Sequence, residues 1–116
     1  MSQPVIVVKN FYEAFGAKDW VRLRSLIADD FTFRGSMAAF DNPDDFVRAM
    51  SQLPFEGYFE DSKFITEGDQ VVHSFLWKMT SPATSDIHMC EVFEVSGEKI
   101  KVSELYYDSA AMPSSG

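Results

Sequence analysis

Residues 87–108 read IHMCEVFEVSGEKIKVSELYYD. Two extended runs flank the turn Ser96-Gly97-Glu98-Lys99. A strand alternates sides at every residue, so on the first run Ile87, Met89, Phe93 and Val95 share one face, with Glu91 in their midst. One carboxylate therefore points wherever that apolar face points. A carboxylate in such a place is costly unless it is hydrogen-bonded, paired or protonated. The stretch predicts a sheet with one face against a core, and it marks Glu91 as the residue to explain.

Upstream the same alternation continues. Val71, His73, Phe75, Trp77 and Met79 fall on one side of a run ending at Thr80, and Ser81 to Ser85 is the turn after it. Phe55 to Thr66 is a further extended run, closed by the turn Glu67-Gly68-Asp69. Before Phe55 the period is helical. Pro4 and Gly16 bracket a helix whose stripe is Val5, Val8, Phe11, Tyr12 and Phe15. Asp19 opens a second, with Trp20, Leu23, Leu26 and Ile27 on its buried side and Asp29-Asp30 at its end. Phe31 to Gly35 reads as a short strand, and the following GSMAAFDNP as a loop. Asn42 and Pro43 open a third helix with Phe46, Ala49, Met50 and Leu53 inward, stopped by Pro54. The pair Asp44-Asp45 reads as its dipole-matched first turn. Three helices followed by strands in hairpin order predict an α+β domain, its curved, mainly antiparallel sheet wrapped over the helices.

The length of 116 residues fits one domain, spanning residues 1–116, with a core of about 4–108 and a small polar tail, 109–116, expected to fray. A net charge of -8 argues against nucleic acid and against an anionic membrane surface as partners. A single cysteine, Cys90, excludes an internal disulfide and points to a reducing, cytoplasmic setting. The N-terminal stretch has no basic region before its apolar run, and no apolar run has the length of a membrane span.

The order of elements and two stretches, NFYEAFGAKDWVRLRSLIADDFTFRG (10–35) and CEVFEVSGEKIKVSELYYD (90–108), resemble the nuclear transport factor 2-like superfamily in its SnoaL-like and ketosteroid-isomerase-like branch. The resemblance implies a cone-shaped, cystatin-like roll with a pocket between concave sheet and helices, often a homodimer. Carried over residue by residue, the isomerase's aspartate base falls at Gly35, its pocket tyrosine at Phe11 with Tyr12 one step round the helix, and its protonated aspartic acid at Glu91. Two of three roles are missing, so the usual steroid isomerase mechanism is not expected. In the epoxide hydrolase branch, one of the pocket aspartates falls at Leu105.

The candidate catalytic pair is Glu91 with His73. Symmetric closure at Pro82 pairs Phe75 with Glu91 and makes His73 its diagonal neighbour, within side-chain reach. Burial raises a carboxyl pKa and a neighbouring imidazolium lowers it again, which can yield a proton-transfer group near neutral pH. A plain structural role, each group satisfying the other, is the competing reading. A regular last strand would set Glu104 opposite Glu91; a bulge would instead turn Ser103, Leu105 and Tyr107 inward, and the family comparison favours the bulge. Asp86, His88 and Cys90 fall on the opposite face from His73, so no metal centre and no cofactor are expected.

Two functions fit. The first is a small-molecule-binding protein with an enclosed apolar pocket, which as an enzyme would be a cofactor-independent isomerase, lyase or hydrolase using Glu91 with His73. Its walls would be Phe11, Tyr12, Phe15, Trp20, Phe46, Met50, Phe75, Trp77, Met89, Phe93 and Tyr107, and its ligand small and apolar or aromatic. The second is a non-catalytic homodimeric module using the outer sheet face, with Val72, Ser74, Leu76, Lys78, Cys90 and Val92. A cavity of ~300 Å³ or more reaching Glu91 favours the first, and side chains filling that space favour the second.

Overall fold

The computed structural model describes residues 3–111. Helix α1 spans Pro4–Gly16, α2 Trp20–Ser25 and α3 Pro43–Ser51. The strands are β1 (Ile27–Arg34), β2 (Ala39–Phe40), β3 (Glu56–Glu67), β4 (Gln70–Ser81), β5 (Ser85–Ser96) and β6 (Lys99–Tyr106). They form one curved mixed sheet in the order β2-β1-β6-β5-β4-β3, antiparallel except where β1 runs parallel to β6.

Local chemistry accounts for the helix starts. Pro4 and Pro43 occupy first-turn positions, where a missing N–H costs nothing. Asp19 caps α2 by accepting from the Arg22 N–H at 3.2 Å. Asn42 caps α3, its Oδ1 accepting from the Asp45 N–H at 2.9 Å. Asn42→Ala is expected to lower stability by about 1 kcal/mol, read as a shift of the urea midpoint with unchanged slope.

The boundaries differ from the sequence reading at several points. Leu26 caps α2 and Ile27 begins β1, so Asp29 and Asp30 lie in a strand, not at a helix end. Ile27 is fully buried there because the sheet, not the helix, supplies its neighbours. The loop after Gly35 carries the two-residue strand β2, paired with Phe33 and Arg34. Leu53, expected inward, is 41% exposed, because α3 ends two residues before it. Of the expected tail, Ser109–Ala111 form a 3-10 turn; the rest of it lies outside the described residues.

Helix α1 lies across β3 to β6 and α3 lies against β1. The core between these layers contains Val7, Val8, Phe11, Leu23, Phe31, Phe46, Phe93 and Ile100. Its rings pack in several geometries: Phe11 meets Phe93 edge-on at 5.7 Å, Phe31 tilts against Phe46 at 4.9 Å, and Phe11 stacks on Phe46 at 6.4 Å.

Two strand irregularities decide which side chains face this core. On β6, Val95 pairs with Ile100 but Glu94 pairs with Val102, so Lys101 is an extra residue. On β3, Glu60 pairs with Leu76 and Lys63 with Ser74, so Asp61 and Ser62 together oppose Phe75. Asp61 has φ 54°, a left-handed conformation that aspartate tolerates better than most residues.

Candidate functional site

Glu91 is carried to the centre of β5 by the alternation that buries Phe93 and Val95, and it is 7% exposed. Both carboxyl oxygens are occupied. The Tyr12 hydroxyl, from α1, donates to Oε1 at 2.6 Å. The Ser103 hydroxyl, from β6, donates to Oε2 at 2.7 Å. Ser103 reaches Glu91 because the Lys101 bulge turns it inward; Phe93 is its cross-strand partner, and Leu105 is that of Glu91. Glu104 accordingly leaves the core and accepts from the Tyr106 hydroxyl.

Burial pushes the Glu91 pKa upward, and the hydroxyl donors hold it back by stabilising the ionised form. Tyr12 is pushed well above the usual phenol value, by burial first and the Glu91 charge second, so it remains a donor at any neutral pH. Tyr12→Phe keeps the ring contacts with Phe11, Phe59 and Phe93 and removes one bond to a buried carboxylate. It is expected to cost about 2 kcal/mol at pH 7 in urea denaturation, and less under acid conditions where Glu91 is protonated.

His73 stands directly opposite Glu91, not diagonally: β4 and β5 pair His73 with Glu91 and Phe75 with Met89. The hairpin closes with Met79 opposite Ser85, which moves the pairing by two residues from the symmetric expectation and preserves the facing sides. His73 is fully buried. Its ring stacks on Phe64 and Phe75, each at 4.3 Å, and meets Tyr12 and Phe59 edge-on at 4.8 and 5.3 Å. Its Nε2 is 2.9 Å from the Ser62 Oγ, and its Nδ1 has no hydrogen-bond partner among the described residues. Burial lowers its pKa to about 4, so the ring is neutral at pH 7.

The expected pocket walls are mostly core. Phe11, Phe46 and Phe93 are buried, and Tyr12, Phe15, Trp20 and Met50 pack on the same cluster. Trp77 is half-buried beneath Phe59, over Gly57, where a Cβ would meet its ring at 2.7 Å. Tyr107 is half-buried and tied through its backbone to the Ser36 hydroxyl. The two clefts described, of about 510 and 300 Å³, are lined by neither Glu91 nor His73. Phe75 and Met89 line the larger and Arg34 and Leu105 the smaller.

Sequence reasoning passed over Ser62, Phe59 and Phe64 as neighbours of His73. Regular alternation puts Phe59 and Phe64, five apart, on opposite faces; the bulge between them brings both to the inner face, where they pair with Trp77 and His73. Among the described residues no group of three or more His, Cys, Asp or Glu could hold a metal, and no helix is long and apolar enough to cross a membrane.

Residues 8–103 match the family model described as the SnoaL-like domain. The chain belongs to this family. No curated protein matches the SnoaL-like chain in sequence. Its architecture is shared with an NTF2-like protein of unknown function from Cytophaga hutchinsonii, at 17% identity and TM-score 0.81, over 95% of this chain and 94% of that one. An LEH-like epoxide hydrolase from M. tuberculosis is similar at 17% identity and TM-score 0.79, over 94% and 85%. A protein of ketosteroid isomerase-like fold from Catenulispora acidiphila, solved with trimethylamine, is similar at 18% identity and TM-score 0.75, over 90% and 87%. At these identities the likeness establishes the NTF2-like fold: three helices on a curved, open, mixed sheet.

Proposed function

We propose that this SnoaL-like protein binds a small, mostly apolar or aromatic molecule on the concave side of its sheet, with Glu91 as the proton-transfer group. The reaction class is isomerase, lyase or hydrolase, without a cofactor. One observation carries the reading: a carboxyl group buried in an aromatic core holds a hydroxyl on each oxygen and faces a histidine kept neutral. A buried carboxylate with no task is an expensive way to fill that position. Glu91 takes the proton and Tyr12 and Ser103 orient it. His73 adds no opposing charge, so nothing pulls the carboxyl pKa back down from its other side. Phe59, on the edge strand β3 and 37% exposed, packs edge-on against Tyr12 and His73, and on this reading a ligand enters by displacing its ring.

A second reading has its own observation. Side chains fill the space next to Glu91, and neither described cleft is lined by it. On this reading the protein is a non-catalytic homodimeric module associating through the outer sheet face, where Tyr58, Ile65 and Tyr106 are exposed beside Val72, Leu76 and Val92.

Native mass spectrometry of the purified protein separates the two. The first reading expects a small-molecule adduct that is lost on denaturation. A dimer with no adduct, and no thermal shift across a panel of small ketones, epoxides and aromatic alcohols, rejects it in favour of the second.

A further inference from the structure

We infer that the molecule taken up at Glu91 is a small organic ammonium ion, a protonated amine on an apolar group of about phenyl size. The inference rests on the Glu91 reading above and names the ligand class for that site. A buried carboxylate without a cation, a buried nitrogen without a donor and the rings around both point the same way.

Glu91 is 7% exposed, and its two oxygens accept only from neutral hydroxyls, those of Tyr12 and Ser103. None of the ion pairs among the described residues includes it. His73, directly across from it on β4, is neutral. Buried charges are ordinarily paired, since hydroxyl bonds replace only part of a carboxylate's hydration. A carboxylate offers about four acceptor sites, and the hydroxyls fill one on each oxygen. A ligand that brings a positive charge and N–H donors supplies both things this group lacks.

His73 adds a further acceptor on the same face. Its Nε2 is 2.9 Å from the Ser62 Oγ, and its buried Nδ1 has no partner among the described residues. A neutral ring carries one proton. On Nδ1 that proton would make a buried N–H without an acceptor, which is the rarer kind of orphan. On Nε2 it goes to Ser62, and Nδ1 keeps a lone pair. Directly opposed strand residues hold their Cβ atoms about 4.5–5.5 Å apart, so one ammonium can reach both the Glu91 carboxylate and the His73 lone pair.

A carbonyl ligand fits the same groups less well. The hydroxyls beside Glu91 both donate to it, so neither is left for a carbonyl oxygen or an oxyanion. An anionic ligand would set a second negative charge beside the carboxylate. The walls favour a cation too. Tyr12, Phe59, Phe64 and Phe75 surround His73 at ring distances of 4.3–5.3 Å, and aromatic faces attract an ammonium. The Phe64 ring already carries one, the Lys9 ammonium at 5.0 Å. The apolar part of the ligand takes the place of the displaced Phe59 ring, which sets its size.

The test is a titration of the ¹⁵N-labelled protein at pH 7 with benzylammonium, benzyl alcohol and acetophenone, probes of similar size. Benzylammonium is expected to give saturable amide shifts centred on Phe59, His73 and Glu91, and to move the His73 Nδ1 resonance as its lone pair gains a donor. The neutral probes are expected to bind at least about tenfold more weakly. Glu91→Gln, which keeps the side chain's shape, is expected to weaken benzylammonium by about tenfold or more. Glu104→Gln, outside the core, is expected to have no effect. Equal or tighter binding of benzyl alcohol or acetophenone at these residues overturns the inference and leaves the Glu91 pocket standing. No shift from any of the probes overturns both. Benzylammonium shifts that centre elsewhere or persist unchanged in Glu91→Gln, or an Nδ1–H tautomer in the free protein, overturn the inference as well.

Discussion

On any substrate the protein turns over, Glu91→Gln is expected to reduce kcat by about 10²-fold or more while the fold persists. The amide matches the carboxyl in shape, and both neighbours can adapt. Tyr12 and Ser103 each carry a hydroxyl that can donate to the amide oxygen or accept from its N–H. What disappears is the transferable proton. Stability gives an independent readout with a defined sign. Burial raises the Glu91 pKa in the folded state above its model value of 4.5. Above the folded pKa both states are ionised and the native state bears the full cost of a buried charge. As pH falls through the folded pKa that cost is relieved, and below 4.5 it is gone. Glu91→Gln should therefore be more stable than the parent at pH 7, and the advantage should shrink on acidification. Unchanged turnover in Glu91→Gln, or an advantage that grows in acid, removes Glu91 from the mechanism.

His73 titrates in the opposite sense. Its pKa is lowered from 6.5 to about 4 because burial among Phe59, Phe64, Phe75 and Tyr12 disfavours the imidazolium. At pH 7 both folded and unfolded chains hold it neutral. Between 6.5 and about 4 the unfolded chain takes up a proton that the folded chain refuses, so stability falls across that window. The gap corresponds to about 3 kcal/mol, a large fraction of a small domain's total. His73→Phe keeps an aromatic ring between Phe64 and Phe75 and cannot titrate. Urea denaturation from pH 7 to pH 4 should show the loss in the parent and in Glu91→Gln, and its absence in His73→Phe. The same acid loss in His73→Phe would place the sensitive group elsewhere.

Much of this arrangement was legible in the chain itself. Helical stripes, capping residues and Pro at helix starts are local features, and they located α1 and α3 without reference to the rest of the molecule. Strand parity is also local: it put Glu91, His73 and Phe93 on one face and Ser74 and His88 on the other. Tertiary structure decided what parity leaves open. The pairing of β4 with β5 set His73 directly across from Glu91 instead of on the diagonal, because register depends on where a hairpin closes and the sequence permits more than one closure. Ser103 became a partner of Glu91 through the Lys101 bulge, and Ser62 a partner of His73 through the Asp61 bulge. Tyr12 meets Glu91 across 79 positions of sequence only because α1 lies over the middle strands. The filling of the concave face was likewise invisible residue by residue. Phe11, Phe46 and Phe93 read equally well as pocket walls or as core, and it is their mutual packing, a property of the whole sheet curving over three helices, that makes them core.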